Sequence, residues 1–246
     1  MKTIIANWKA NPTLIEEAKI LYVAEIKSAQ EYSGIKTVIC PPFVFLGELA
    51  KISRDFIGAQ DIFWEKSGPF TGEVSTQMLK EFGVSHVLIG HSDRRYILGE
   101  SDEIINKKLK ASLEVGIIPV LLIGERAGEN REEIIASQLS KDLEGLSPED
   151  ISKVLFAYEP VWAISNQPGA RPDTPENALE AIRFIGEYIF ENWKLKIENC
   201  LYGGSVNEKN IADFLKHPEI SGAVIGGASL RKEEFVNVLK LTSEIR

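Results

Sequence analysis

Five short apolar runs in this chain end on groups that can do chemistry. Asn7, Trp8 and Lys9 follow Thr3–Ala6; His91, Ser92 and Asp93 follow His86–Ile89; Glu159 follows Val154–Tyr158. Gly203-Gly204-Ser205 follows Cys200–Tyr202, and Gly226-Gly227-Ala228-Ser229 follows Gly222–Ile225. A carboxylate such as Glu159, with an imidazole (His91) and an ammonium (Lys9) aimed at an oxygen, can remove a proton α to a carbonyl and stabilise the enediolate that forms. Asn7 can add an N–H donor. Glycine turns expose backbone N–H groups that can surround a phosphate, aided by the positive end of a short helix. Each feature alone has a plainer explanation. A Glu-Pro pair is more often a solvent-facing strand end, a tight turn accounts for either Gly-Gly, and His91 by itself is as readily structural as functional. The chemistry requires a fold that brings these five strand ends together.

The hydrophobic pattern supplies such a fold. Apolar runs alternate with amphipathic stretches eight times, at Thr3–Ala6, Thr37–Cys40, Phe56–Ala59, His86–Ile89, Ile117–Ile123, Val154–Tyr158, Cys200–Tyr202 and Gly222–Ile225. Most runs are continuous, as in strands covered on both faces. Between them lie helical stretches at Ile15–Glu31, Glu103–Glu114, Arg131–Leu143 and Glu176–Trp193, the last with Ala178, Ala181, Ile182, Ile185 and Ile189 on one face. Thr174-Pro175 and Ser147-Pro148 carry the N-cap and first-turn proline of helix starts. Parallel strands need helical crossovers, and no linker-like tract divides the chain. The expected architecture is therefore α/β, one closed (β/α)8 barrel of eight parallel strands forming a single domain over residues 1–246. An open doubly wound sheet is the alternative fold, but no Gly-x-Gly-x-x-Gly follows the first strand. In a barrel the residues after the strands share one mouth, and phosphate sites lie after strands seven and eight.

Composition narrows the classes. Hydrophobic residues make up 44% and charged residues 26%, as in an ordinary globular protein. The formal charge of -8 and the lack of a basic stripe argue against nucleic acid as a partner, so any bound anion is small and held locally. The two cysteines, Cys40 and Cys200, suggest neither a disulfide framework nor a zinc site and are expected as small apolar strand residues. The three histidines show no ligand spacing, so no metal is expected; His86 is expected as a hydrogen-bonded core residue and His217 as a surface loop residue. No run is suited to a signal peptide or membrane span, which makes cytoplasmic the expected location and excludes a membrane partner.

Over nearly its whole length the chain resembles triosephosphate isomerase. The resemblance is carried by Asn7-Trp8-Lys9, Phe70-Thr71-Gly72-Glu73, Ile89-Gly90-His91-Ser92, Arg94-Arg95, Tyr158-Glu159-Pro160-Val161-Trp162-Ala163-Ile164, Tyr202-Gly203-Gly204-Ser205-Val206 and Gly226-Gly227-Ala228-Ser229-Leu230. It implies a TIM barrel that interconverts dihydroxyacetone phosphate and glyceraldehyde 3-phosphate, in glycolysis and gluconeogenesis, with no cofactor. It further implies Glu159 as the base and His91 as the electrophile. This family is itself the standing example of that pairing and of lid closure, so the assignment is family knowledge. Lys9 and Asn7 would contact the oxyanion and substrate, and backbone N–H groups near Ser165, Ser205, Gly226 and Gly227 would hold the phosphate. Ile164 and Leu230 would flank the glutamate beneath the closed lid. A homodimer is implied, with the loop Ser67 to Glu73 entering the partner near its lysine. Other phosphosugar barrels would need metal-binding histidines and aspartates, or a cysteine or aspartate acid/base pair, at these strand ends, and a scaffold protein would have no need of all four polar groups.

Three positions depart from the family pattern. Asp93 replaces a glutamate, so its contact with Lys9 is expected to be lengthened, relayed by water or replaced. The lid, Ser165-Asn166-Gln167-Pro168-Gly169-Ala170-Arg171-Pro172, differs from the usual Gly-Thr-Gly-Lys-Thr-Ala, which implies a working lid with altered closure kinetics. Leu122 replaces a cysteine and is expected to be a packing change.

Overall fold

The computed structural model describes residues 1–165 and 169–245. In chain order its main elements are β1 (Thr3–Asn7), α1 (Ile15–Glu31), β2 (Lys36–Cys40), α2 (Phe43–Ala50), β3 (Gly58–Ala59), α3 (Thr76–Glu81), β4 (His86–Ile89) and α4 (Asp102–Glu114). They continue with β5 (Ile118–Ile123), α5 (Arg131–Asp142), α6 (Pro148–Ile151), β6 (Leu155–Tyr158), α7 (Pro175–Trp193), β7 (Cys200–Tyr202), α8 (Ile211–Leu215), β8 (Ile220–Ile225) and α9 (Lys232–Ser243). The strands form one parallel sheet in the order β2-β1-β8-β7-β6-β5-β4-β3. Its two edges meet through the bridge between Ile39 and Ile57, where the Ile39 N–H donates to the Phe56 carbonyl at 2.7 Å, so the barrel is nearly closed.

β3 is shorter than the run Phe56–Ala59 predicts: only Gly58 and Ala59 pair regularly with β4. A Cβ on Gly58 would lie 2.5 Å from Val38 Cγ1 and 2.6 Å from Cys40 Sγ. The side chains of β2 thus fill the space that a side chain at Gly58 would need.

The continuous apolar runs resolve into two buried layers because alternate strand residues face opposite ways. Ile5, Val38, Leu88, Val120, Leu122, Ala157, Leu201 and Val224 fill the barrel interior with Cys40. Ile4, Ile39, Leu121, Phe156 and Tyr202 join the larger cluster that includes Ile185, Ile189 and Leu139 of the surrounding helices. Full burial of such a side chain is worth about 1.5–3 kcal/mol, so both layers are needed to hold the strand ends in register. Leu122, fully buried in the inner layer, is a packing residue as expected. Cys40 and Cys200 are buried and free, Cys40 in the inner layer and Cys200 in the outer. Thr174 and Ser147 accept the N–H groups of Asn177 and Asp150, with proline following each, so α7 and α6 start where the sequence indicates. No helix among the described residues is long and apolar enough to cross a membrane.

Candidate active site

Glu159 leaves β6 pointing into the barrel mouth. It is 3% exposed, which removes the solvent-facing alternative. Its backbone N–H donates to the Ile123 carbonyl at 2.7 Å, extending the β5–β6 pairing one step past the strand. Its Oε2 accepts the Ser92 N–H at 2.8 Å, and its Oε1 lies 3.0 Å from His91 Nε2. Burial pushes the Glu159 carboxyl above its ordinary pKa, against the opposing pull of His91, the Ser92 N–H and Lys9.

His91 Nδ1 accepts the Asp93 N–H at 3.0 Å, so the ring proton sits on Nε2 and is donated to Glu159. Carboxylate and imidazole thus occupy each other, and a molecule entering the mouth must part them. Arg95 steadies the turn before His91 by donating from Nε to the Gly90 carbonyl at 2.7 Å.

Lys9 adopts the left-handed backbone, with φ 54°. For a residue with a Cβ this costs about 1–3 kcal/mol and must be held. Asn7 Oδ1 accepts the Lys9 N–H at 3.0 Å, while Gln60 Nε2 donates to the carbonyls of Lys9 at 2.7 Å and Cys40 at 2.8 Å. So restrained, Lys9 puts Nζ 3.0 Å from Asp93 Oδ2. The expectation of a lengthened, relayed or replaced contact is therefore corrected: the shorter side chain reaches Lys9 directly. The Asp93 N–H bond to His91 keeps its backbone close to the mouth, and the flexible lysine stem makes up the remaining distance. The approach is off the hydrogen-bond direction, and among the described residues the buried Lys9 Nζ has no directed partner.

Asn7, Lys9, His91 and Glu159 line one cavity of about 360 Å³, and Ser165, Ser205, Gly226 and Gly227 line its other side. Ile164 and Leu230 border it. Gly227 opens a 3-10 turn, Gly227–Leu230, directly after β8 and Gly226. The Ser165 N–H donates to Ser205 Oγ at 2.8 Å and the Ser205 N–H to the Ala163 carbonyl at 3.3 Å. These two N–H groups are thus engaged with each other's segments, and an anion must displace those bonds to use them.

Pro160 leads into a 3-10 turn, Val161–Ala163, that is pinned from the side by Glu125. Glu125 accepts from Trp162 Nε1 at 2.7 Å and from the Tyr158 hydroxyl at 3.1 Å, and its carbonyl accepts the Val161 N–H at 3.0 Å. Arg171 donates its N–H to the Trp162 carbonyl at 3.2 Å and sets its guanidinium 4.7 Å from the Trp162 ring centre. Of the expected lid, Asn166, Gln167 and Pro168 lie outside the described residues. A cleft of about 510 Å³ borders this hinge, but Arg126 and Arg131 there are paired with Glu129 and Glu180.

The roles of Gln60, Ser92, Arg95 and Glu125 are absent from the sequence reading. Ser92 and Arg95 stand inside motifs given above, whereas Gln60 and Glu125 offer no local signal. His86 is a buried core histidine beside Ser85 Oγ at 2.9 Å, its pKa lowered to about 4 by burial. His217 is a loop residue as expected, in the bend after α8, but half-buried, with its Nε2 enclosed without a partner among the described residues. The loop Ser67 to Glu73 is exposed throughout, with Phe70 packed on Phe63 at a ring separation of 4.8 Å.

The triosephosphate isomerase family model matches residues 2–242. A triosephosphate isomerase of Dictyoglomus thermophilum is 40% identical over 250 residues, covering 97% of this chain and 98% of that one. One from Dehalococcoides mccartyi is 38% identical, covering 99% and 98%. The crystal structure of the triosephosphate isomerase from Bartonella henselae superposes with a TM-score of 0.82 at 31% identity, covering 98% of each chain. With the barrel and the cavity of Glu159, His91 and Lys9 already in place, this full-length similarity makes the chain a member of the triosephosphate isomerase family of isomerases.

Proposed function

We propose that the protein interconverts dihydroxyacetone phosphate and D-glyceraldehyde 3-phosphate through an enediolate, without a cofactor, as a step of glycolysis and gluconeogenesis. The observation that carries this reading is the buried Glu159 carboxylate bonded to His91 Nε2–H in the cavity that Lys9 and the glycine turns share. The phosphate sits at the turns after β7 and β8, where N–H groups near Ser165, Ser205, Gly226 and Gly227 hold it. The carbonyl oxygen then takes over the His91 Nε2–H, freeing Glu159 to face the adjacent C–H.

Glu159 removes the proton from one carbon and becomes a carboxylic acid, while the electron pair of that C–H bond passes to the carbonyl oxygen. His91 Nε2–H and Lys9 Nζ–H donate to that oxygen as charge develops, and Asn7 supplies a further substrate contact. The proton of the neighbouring hydroxyl passes to the former carbonyl oxygen, and return of the proton from Glu159 to the neighbouring carbon then completes the isomerisation. Burial already raises the basicity of Glu159, and exclusion of water raises it further. The lid closes with altered kinetics and limits phosphate loss from the enediolate. Residues 1–246 act as one barrel domain, paired as a homodimer through Ser67 to Glu73, in the cytoplasm.

A coupled isomerase assay on the purified protein beside Glu159→Gln tests the reading. General-base catalysis is worth about 10²–10⁴-fold, and a loss of at least that order is expected in the variant. Equal activity in both would remove Glu159 as the base. The methylglyoxal formed alongside isomerisation reads the lid: an elimination share equal to that of free enediolate would show that the lid does not protect.

A further inference from the structure

Gln138 lies on α5, outside the cavity, and spends its amide on one residue of the barrel mouth. Its Oε1 accepts the Gly124 N–H at 2.9 Å, and its Nε2 donates to the Gly124 carbonyl at 3.2 Å. The same Nε2 donates to the Tyr96 hydroxyl at 3.3 Å, and that hydroxyl donates to the Gly124 carbonyl at 3.4 Å. The side chain is 6% exposed, so water does not compete well for these bonds. An amide that serves both the N–H and the C=O of one residue fixes that residue as a neighbouring strand would.

Gly124 is the middle of a bracket. On the side facing β6, the Ile123 carbonyl accepts the Glu159 N–H at 2.7 Å and the Glu125 carbonyl accepts the Val161 N–H at 3.0 Å. Between these two bonds the Gly124 Cα faces the Glu159 carbonyl so closely that a Cβ would lie 2.1 Å from its oxygen. The β6-facing edge of Ile123–Glu125 therefore carries the backbone of Glu159 to Val161, and Gln138 holds the opposite edge at Gly124.

We propose that Gln138 is a positioning residue for Glu159: its amide clamps Gly124, and through the Ile123–Glu125 bracket it sets where the carboxylate stands against His91. The inference rests on Glu159 being the base. Gln138 makes no contact with the cavity, and the turns after β7 and β8 that hold phosphate are on other strands. Its loss leaves the buried Gly124 N–H unpaired and its C=O with only the long Tyr96 bond, and the bracket shifts to find partners. A misplacement on the order of 1 Å costs about 10²-fold in rate. The effect falls on kcat, and KM stays close to that of the unaltered protein.

The experiment is steady-state isomerisation of dihydroxyacetone phosphate by the full chain and by Gln138→Met, which conserves volume, each well below its melting temperature. Expected is a fall in kcat of about 10–100-fold with KM within about threefold. An unchanged kcat, or a loss confined to KM, overturns the proposal. Tyr96→Phe leaves both amide bonds to Gly124 and should keep kcat within about threefold; a loss equal to that of Gln138→Met would place the effect at the tyrosine instead. Should Gln138→Met not fold, Gln138→Glu decides. Its protonated carboxyl can copy the amide, accepting from the Gly124 N–H and donating to the carbonyl, while the ionised form sets an oxygen against that carbonyl. Its kcat should therefore fall with rising pH relative to the unaltered protein. Parallel profiles overturn the proposal. Absence of isomerisation by the unaltered protein would instead sink the reading of Glu159 as base, and the inference with it.

Discussion

Replacing Gly124 with alanine tests how tightly Glu159, the proposed base, is held. The added Cβ would lie 2.1 Å from the Glu159 carbonyl oxygen and 2.6 Å from its carbonyl carbon. A tolerable C···O contact is roughly 3.3 Å, so about 1.2 Å must come from movement of two backbones. Neither yields freely, because Ile123 and Glu125 are hydrogen-bonded to Glu159 and Val161 on either side. If about half the displacement falls on Glu159, its carboxylate moves by about 0.6 Å, and 1 Å costs about 10²-fold in rate. The expected fall in kcat is therefore about 10–100-fold, equivalent to about 1.4–2.7 kcal/mol of barrier. Overpacking should also cost about 1–3 kcal/mol of stability, lowering the melting temperature by about 2–4 °C per kcal/mol in a chain of this size. The coupled assay must accordingly run where unfolding curves show the variant to be folded. A folded variant with kcat within threefold of the unaltered protein would refute the reasoning, as would a loss expressed only in KM.

Asp93→Glu should alter turnover by less than about tenfold, since it adjusts the placement of Lys9 and leaves Glu159 in place; a thousandfold change in either direction would show that the 3.0 Å pair is more than positional. Glu25 is buried on α1, both its carboxylate oxygens 3.2 Å from Trp8 Nε1, and burial holds its pKa well above the ordinary value. A carboxyl whose folded pKa is raised contributes fully below its unfolded pKa, and that contribution is lost as pH rises toward the folded one. Glu25→Gln should therefore gain melting temperature relative to the unaltered protein on going from pH 4 to pH 8; a pH-independent difference would show that Glu25 is not held protonated. Phe70→Asp, in the exposed Ser67 to Glu73 loop, should convert a dimer to a monomer in sedimentation, and a monomeric unaltered protein would remove the proposed interface.

Much of this molecule is decided by local pattern. The runs that predict β4 and β7 and the period that predicts α1 match the observed elements residue for residue, and α4, α5 and α7 differ by one residue at an end. Apolar period, N-cap and first-turn proline act within a few residues, so they are readable without the fold. Asn7, Lys9, His91 and Glu159 were legible as a set because a barrel delivers every strand end to one mouth.

What the tertiary structure alone decided depends on distances that no local period encodes. β3 keeps only half of its apolar run, and Asp93 met Lys9 directly although its shorter side chain argued against it. Gln60 reaches across 51 residues to Lys9, Glu125 across 37 to Trp162, and Gln138 across 14 to Gly124. Each is a polar side chain whose partner is a backbone group or ring brought near only when the barrel closes, and a glutamine on a helix reads in sequence as an ordinary surface residue. Strand and helix identity follow from side-chain pattern, which belongs to the chain. The position of Glu159 to within an ångström follows from buried hydrogen bonds between distant segments, which exist only once the core has packed.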